Sequence, residues 1–429
     1  MTPEADREPR PGLGALPLVA WLAGGIAVVA GIAIRIALLP TPGLKGDLDQ
    51  FVVWVRGIAV NGLGNAYHQN LSFPPVMAYI WGALAAIEPA FRTITDSADP
   101  SIRILMKVPA TLADLGLALV LAYAFRARPR WAVVAVAVVL LHPAVIEVSA
   151  WWGQYESIYL LSALVAVVFA VNGRNGWAAA AIAVSLMTKP QALPFILPFA
   201  AWFWARGGWR EILRTTAIGL AVIVILWLPF LPAGGPAAYL HSLGDYQDNI
   251  FPILSLNAWN IWWLTQVAAV GGFAGDQVAV LGPITLRHVG YLVTGLLSIL
   301  VAIRILRDPR PRTLILGLAA STLIWFGFLT QMHERYAYGA LVFLLLLIPE
   351  RPIQWLSLAF GVAFTLNLWT VSPPASFLRD WLPGTGLQTI VGALAMIAIT
   401  WLVVLLMDRD ADGVRPAPDH RVASEGAAP

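Results

Sequence analysis

The chain alternates between long apolar runs and short polar breaks, and most of the runs approach the length that carries a helix across a bilayer. At about 1.5 Å of rise per residue, roughly 20 apolar residues cover the ~30 Å of hydrocarbon. Such runs, several of them short, lie at 16–39, 105–125, 131–146, 158–171, 177–187, 192–204, 212–231, 289–306, 313–329, 338–348, 353–369 and 387–407. They predict an all-α polytopic membrane protein with about 12 transmembrane helices. The first run is longer than a signal-peptide core and no small-residue cleavage site follows it, so it reads as a retained span.

Basic residues orient these spans, because Lys and Arg gather in short cytoplasmic loops. With the N-terminus inside, the loops carrying Arg126, Arg128 and Arg130, then Arg174, then Arg206, Arg210 and Arg214 fall inside. So do those with Arg304, Arg307, Arg310 and Arg312, the one with Arg351, and the tail with Arg409, Arg415 and Arg421. The parity requires that the apolar stretch 74–91, which holds three prolines, does not cross. It then becomes an interfacial helix in a long first outer loop, 40–104. Lys189 and Pro190 interrupt the run 177–204, predicting two short helices that meet near the outer face. The tails 1–15 and 408–429 are rich in Pro, Gly, Arg and Asp, without apolar period, and are expected to be disordered around a single membrane domain at 16–407.

Composition narrows the function. Hydrophobic residues make up 59% and charged residues 12%, against about 25% charged in soluble domains, which excludes a soluble protein. A net charge of +3, dispersed along the chain, gives no nucleic-acid footprint. The absence of cysteine removes thiolate nucleophiles, disulfides and Cys-ligated metals. No phosphate-cradling glycine loop or GxSxG elbow is present.

Under this topology the unusual polar residues fall on one side. The outer segments bring together Asp47, Asp49, Gln154, Glu156, Lys189, His241, Asp245, Asp248, His333, Glu334 and Arg335. Each has a plain structural reading. The WWGQY segment fits an aromatic belt at the interface, Lys189 fits a snorkelling lysine, His333 to Arg335 fit a helix cap, and Asp47 and Asp49 fit the watery end of the first span. The convergence of five segments on one face favours a site. Pairing Asp47 with Asp49, or Asp245 with Asp248, offers oxygen ligands to a hard cation, but the spacing matches no dedicated loop, so a divalent metal has a place here without being expected.

Several motifs occur in order: GDLDQFVVWVRGIAVNGLGNAY and SFPPV, then LMKVPATLADLGLAL with Lys107 and Asp114, HPAVIEVSAWWGQYES, KPQALPF, LNAWNIW and MHERYAY. In these the sequence resembles, over roughly 16–369, the GT-C superfamily of membrane glycosyltransferases that use a polyprenyl-phosphate sugar. It is most similar to bacterial relatives of the second mannosyltransferase of GPI-anchor synthesis, and it also looks like the dolichyl-phosphate-glucose glucosyltransferases of N-glycan assembly. Two departures stand out: the usual DYPPG reads SFPPV, and the acid of WGQxDS is Glu156.

The resemblance implies a GT-C-like fold with interfacial helices in the first outer loop, and inverting transfer of a hexose, mannose first, to an acceptor hydroxyl. It places the family's acid at Asp47 as base, with Asp49 the alternative. Lys189, Arg335 and His333 are expected to hold the donor phosphate, and Trp152, Gln154, Glu156 and Glu334 to contact sugar or acceptor. Charge stabilisation and a base are what such a displacement needs. No cofactor is expected. The partners would be the lipid-linked donor, a lipid, glycan or protein acceptor, and membrane lipids. The protein would sit in the cell membrane with both termini cytoplasmic and the site outside. The alternative is a secondary transporter of a small polar or lipid-linked solute, for which charges at mid-bilayer and internal repeats would be the signature.

Overall fold

The computed structural model describes residues 18–269, 271–382 and 386–408. Apart from Asp408, both tails expected to be disordered, with Arg409, Arg415 and Arg421, lie outside the described residues. The chain begins with α1 (Leu18–Leu38), α2 (Lys45–Asn61), α3 (Pro75–Ile87), α4 (Pro100–Ala124), α5 (Pro129–Leu141) and the short α6 (Pro143–Ile146). It continues with α7 (Glu156–Val171), α8 (Asn175–Leu186), α9 (Ile196–Trp227), α10 (Gly235–Asp245) and α11 (Ile261–Ala269). The last part holds α12 (Leu286–Arg307), α13 (Pro311–Phe328), α14 (Tyr338–Leu345), α15 (Arg351–Trp369), α16 (Ser376–Trp381) and α17 (Leu387–Leu406). Among the described residues extended structure is confined to four short strands, β1 (Ser255–Leu256), β2 (Ala279–Leu281), β3 (Ile284–Thr285) and β4 (Met332–His333).

Local chemistry sets many of the boundaries. Helices α3, α4, α5, α6 and α13 open on proline, whose missing N–H costs nothing in the first turn. Asp99 caps α4 by accepting from the N–H and hydroxyl of Ser101, both at 2.8 Å. Within α9, Gly207 and Gly208 leave helical geometry, Gly208 at φ +60°, and divide the apolar stretch into the two helices that the runs 192–204 and 212–231 anticipate.

Six stretches of the described residues are long and apolar enough to cross a membrane: α1, α4, residues 190–230, α12, α13 and α17. Helix α5 with its continuation to Trp152, bent by 52°, is a seventh. Helices α7, α8 and α14 underlie three of the remaining apolar runs, yet each is shorter than the ~20 residues a crossing takes. Length and composition alone thus qualify six stretches of the described residues, or seven with the bent pair; the twelve runs read from the sequence include shorter helices, and two of them, 192–204 and 212–231, share the stretch around residues 190–230. Helix α13 is buried without interruption from Thr313 to Ile324, as expected for a helix apolar all round at the centre of a bundle. Helix α1 instead exposes Leu18, Val19, Leu22, Ile26 and Val29, a surface suited to lipid.

Two arrangements position the site. Within the helical bundle, Arg35 of α1 donates through Nε to Asp114 of α4 at 2.9 Å and through Nη1 to the carbonyl of Leu140 at 2.6 Å. Asp114 also accepts from Ser149 and Ser157, at 2.5 Å each, so one carboxylate ties α1, α4, α7 and the π-helical turn Glu147–Trp152 together. At one end of the bundle α2 and α3 form a separate layer, cemented by aromatics. Phe51 lies 5.1 Å from Tyr155 and Trp54 5.4 Å from Trp81, between ring centroids. Tyr155 donates to the carbonyl of Met106 at 3.1 Å, which anchors this layer to α4.

Candidate active site

Asp47 stands in the first turn of α2, where a carboxylate complements the helix dipole. Opposite it, the π-helical turn ends at Gly153 with φ +86°. A Cβ at this glycine would lie 2.8 Å from Leu48 and 2.9 Å from Lys107, so the turn depends on the missing side chain. It delivers Trp152 and Gln154 to Asp47: the indole N–H donates to Oδ2 at 2.9 Å and the Gln154 amide to the same oxygen at 2.5 Å. The other oxygen, Oδ1, makes no hydrogen bond among the described residues.

Asp49 is turned away. It accepts from Lys45 Nζ at 2.7 Å and from the N–H and hydroxyl of Ser97 at 2.8 and 2.6 Å. Partial burial pushes its pKa up, but the bonds from Lys45 and Ser97 outweigh that and hold it below the ordinary 3.8.

The cations come from two breaks in the helical bundle. Lys189 follows α8 and precedes the 3₁₀ turn Pro190–Phe195; Arg335 lies in the 3₁₀ turn Glu334–Ala337 that follows β4. Both converge on Glu156 at the start of α7. Its Oε1 is 2.5 Å from Lys189 Nζ and 3.3 Å from Arg335 Nε, while Oε2 is buried without a protein partner. Arg335 Nη1 also reaches Glu334 at 2.9 Å and His333 Nδ1 at 3.2 Å, and its guanidinium lies 4.9 Å over the Trp152 ring. Burial lowers the pKa of Lys189, with Glu156 opposing, and raises that of Glu334, with Arg335 opposing. Burial, then the charges of Arg335 and Lys189, holds the pKa of His333 well below its ordinary value.

These residues surround a cavity of about 610 Å³. Asp47, Gln154, Lys189, His333 and Arg335 line it, all five nominated by the sequence. The other nominations fall elsewhere. Trp152, Glu156 and Glu334 are almost fully buried and, like Asp49, absent from the lining; Trp152 bonds Asp47, and Glu156 and Glu334 pair with the cations. His241 is not part of the cavity either. Asp245 accepts from Asn70 and Asn249, and Asp248 pairs with Arg287 at 2.5 Å. Among the described residues no three His, Asp or Glu side chains group as a metal site.

Part of the lining escaped the sequence. Tyr246, Gln247 and Phe251 come from the long segment after α10, and Tyr291 from the apolar run of α12. The parallel pairing of β1 with β4, Ser255 opposite Met332 and Leu256 opposite His333, lays that segment beside the cationic turn. A polar residue in an otherwise apolar helix, as Tyr291 is, was the one available signal. One part of the remaining wall is apolar, with Leu193, Gly295, Trp325 and Leu329, while Gln50, Ser72, Gln191, Thr294, Thr330 and Gln331 add polar groups elsewhere.

No curated protein matches the chain. Residues 65–371, well over half of the chain, match the ALG6, ALG8 glycosyltransferase family. The match takes in Gln154, Glu156, Lys189, His333 and Arg335 and begins after Asp47. With its polytopic helical fold, the chain belongs to the ALG6, ALG8 glycosyltransferase family and is a membrane glycosyltransferase of the GT-C superfamily.

Proposed function

We propose that the cavity transfers a hexose from a polyprenyl-phosphate sugar to an acceptor hydroxyl, with inversion. One observation carries the reading: a carboxylate with one free oxygen, Asp47, and two cations, Lys189 and Arg335, face a single cavity that has an apolar wall. The acceptor O–H gives its proton to Oδ1 of Asp47 as its oxygen attacks the anomeric carbon. The bond from that carbon to the phosphate oxygen breaks on the opposite face. Lys189 and Arg335 stabilise the charge gathering on the departing phosphate, Lys as a point charge and Arg through its planar fork. His333 adds a hydrogen bond. The wall formed by Leu193, Gly295 and Leu329 suits the prenyl chain, and Gln154, Gln247 and Tyr246 offer hydrogen bonds to hydroxyls.

The finer assignments belong to the same proposal. Twelve crossings, with both termini cytoplasmic and the cavity outside, follow from the arginine-rich loops. Mannose comes from the likeness to the GPI-anchor enzymes, and glucose from the likeness to the glucosyltransferases of N-glycan assembly. The acceptor is a lipid, a glycan or a protein.

The test is to incubate the purified protein in lipid with radiolabelled polyprenyl-phosphate mannose or glucose and a total lipid extract, beside Asp47→Asn. We expect label in a new product with the wild type alone. Normal turnover by Asp47→Asn would move the base elsewhere, and turnover of neither donor would remove the proposed substrate class.

A further inference from the structure

At the far end of α12, roughly 18 Å along the helix from Gly295 in the catalytic cavity, lies a second cavity of about 360 Å³. It is closed by the ends of α12 and α17 and by the turn before α13. Three arginines and two aspartates line it. Asp408 is held by Arg304, through Nε and Nη2 at 3.0 Å, and Asp308 by Arg310 at 2.6 Å. Both acids are thus neutralised by these partners. Arg307 makes no ion pair or hydrogen bond among the described residues, and Arg304 Nη1 is buried without a partner.

A helix C-terminus favours cations, and that accounts for arginines in the last turn of α12. It does not account for a concave site in which one guanidinium is unpaired and another keeps a buried, unused N–H. Directly beside them Leu300, Ile303 and Met407 make the wall apolar, and Leu300 and Ile303 are exposed on the surface of α12. Anionic recognition at the end of a membrane-spanning helix, continuous with an aliphatic groove, matches a headgroup and the chains above it.

We propose that this pocket binds the phosphate headgroup of an anionic phospholipid through Arg307 and Arg304, on the membrane face away from the catalytic cavity. The reading is independent of which sugar or acceptor the enzyme uses. It is tested on the full chain in detergent by measuring lipid retention by native mass spectrometry, with phosphatidylglycerol, phosphatidylcholine and inorganic phosphate as probes. Phosphatidylglycerol should bind and phosphatidylcholine should not. Arg307→Gln should weaken phosphatidylglycerol binding about fivefold, the effect of one arginine at an anionic surface. The control Arg128→Gln, an exposed arginine on another basic loop, should leave it unchanged. Three results would overturn the proposal: equal binding by Arg307→Gln and wild type, equal weakening by both variants, which would mean diffuse surface attraction, or displacement of the lipid by an equal concentration of inorganic phosphate, which would assign the pocket to a soluble anion.

Discussion

Lys189 and Glu156 form an ion pair of 2.5 Å in which both side chains are buried, and Arg335 shares the same carboxylate oxygen at 3.3 Å. A buried cation of this kind keeps its charge only while its counter-charge remains. Glu156→Gln is therefore expected to act through Lys189 and Arg335, lowering kcat/KM about 100-fold, the scale seen when a stabiliser of developing negative charge is lost. Lys189→Met should cost as much, and the double variant little more than either, which steady-state kinetics on the four proteins will check. Glu156→Asp keeps the charge with a shorter reach and should fall between.

Asp47 and Asp49 separate cleanly. Asp47→Asn should reduce transfer by more than about 100-fold without unfolding the protein. Asp49→Asn should leave turnover near wild type and cost about 1 kcal/mol of stability, because its partners are Lys45 and Ser97. The folded pKa of Asp49 lies below its ordinary 3.8, so the carboxylate stabilises the fold above that value. That contribution disappears as the pH falls through the lower, folded value. Thermal unfolding followed against pH should show the acid-side loss in the wild type and a smaller one in Asp49→Asn.

Gly153→Ala introduces a Cβ where Leu48 and Lys107 already stand within 3 Å, at a left-handed φ. A loss of about 1–2 kcal/mol in stability is expected from the conformation alone. Because the same turn presents Trp152 and Gln154 to Asp47, kcat should fall more than KM rises.

Arg35 and Asp114 join four segments from a fully buried position. Arg35→Met leaves Asp114 uncompensated and should destabilise the protein by about 3–5 kcal/mol, whereas Arg35→Met combined with Asp114→Leu should recover much of the loss. Unfolding in a fixed detergent compares the three.

Much of this was readable before any coordinates. The helical class, the separate helix α3, the break at Lys189 and five of the cavity's polar residues followed from apolar run length and from charges at helix mouths. The limits are physical. Residues two apart on a helix are turned about 200° from each other, so Asp47 and Asp49 had to face different ways, but only packing shows which one meets the cavity. Trp152, Glu156 and Glu334 stand behind the cavity lining, because a sequence does not distinguish a residue on a wall from the one next to it. Tyr246 and Gln247 were hidden in a long segment whose path is set by pairing of β1 with a strand some 75 residues away, an interaction with no local signature.

The hairpin of β2 and β3 turns at Gly282 with φ +54°, and its residues from Ala279 to Ile284 are exposed. The segment leading into it is fastened separately, by Asp276 to Arg287 at 2.8 Å and by β1 to β4. An epitope spliced in at Gly282 would thus hang from an already fastened frame, and an antibody applied to unbroken cells would reveal which compartment the catalytic mouth opens into.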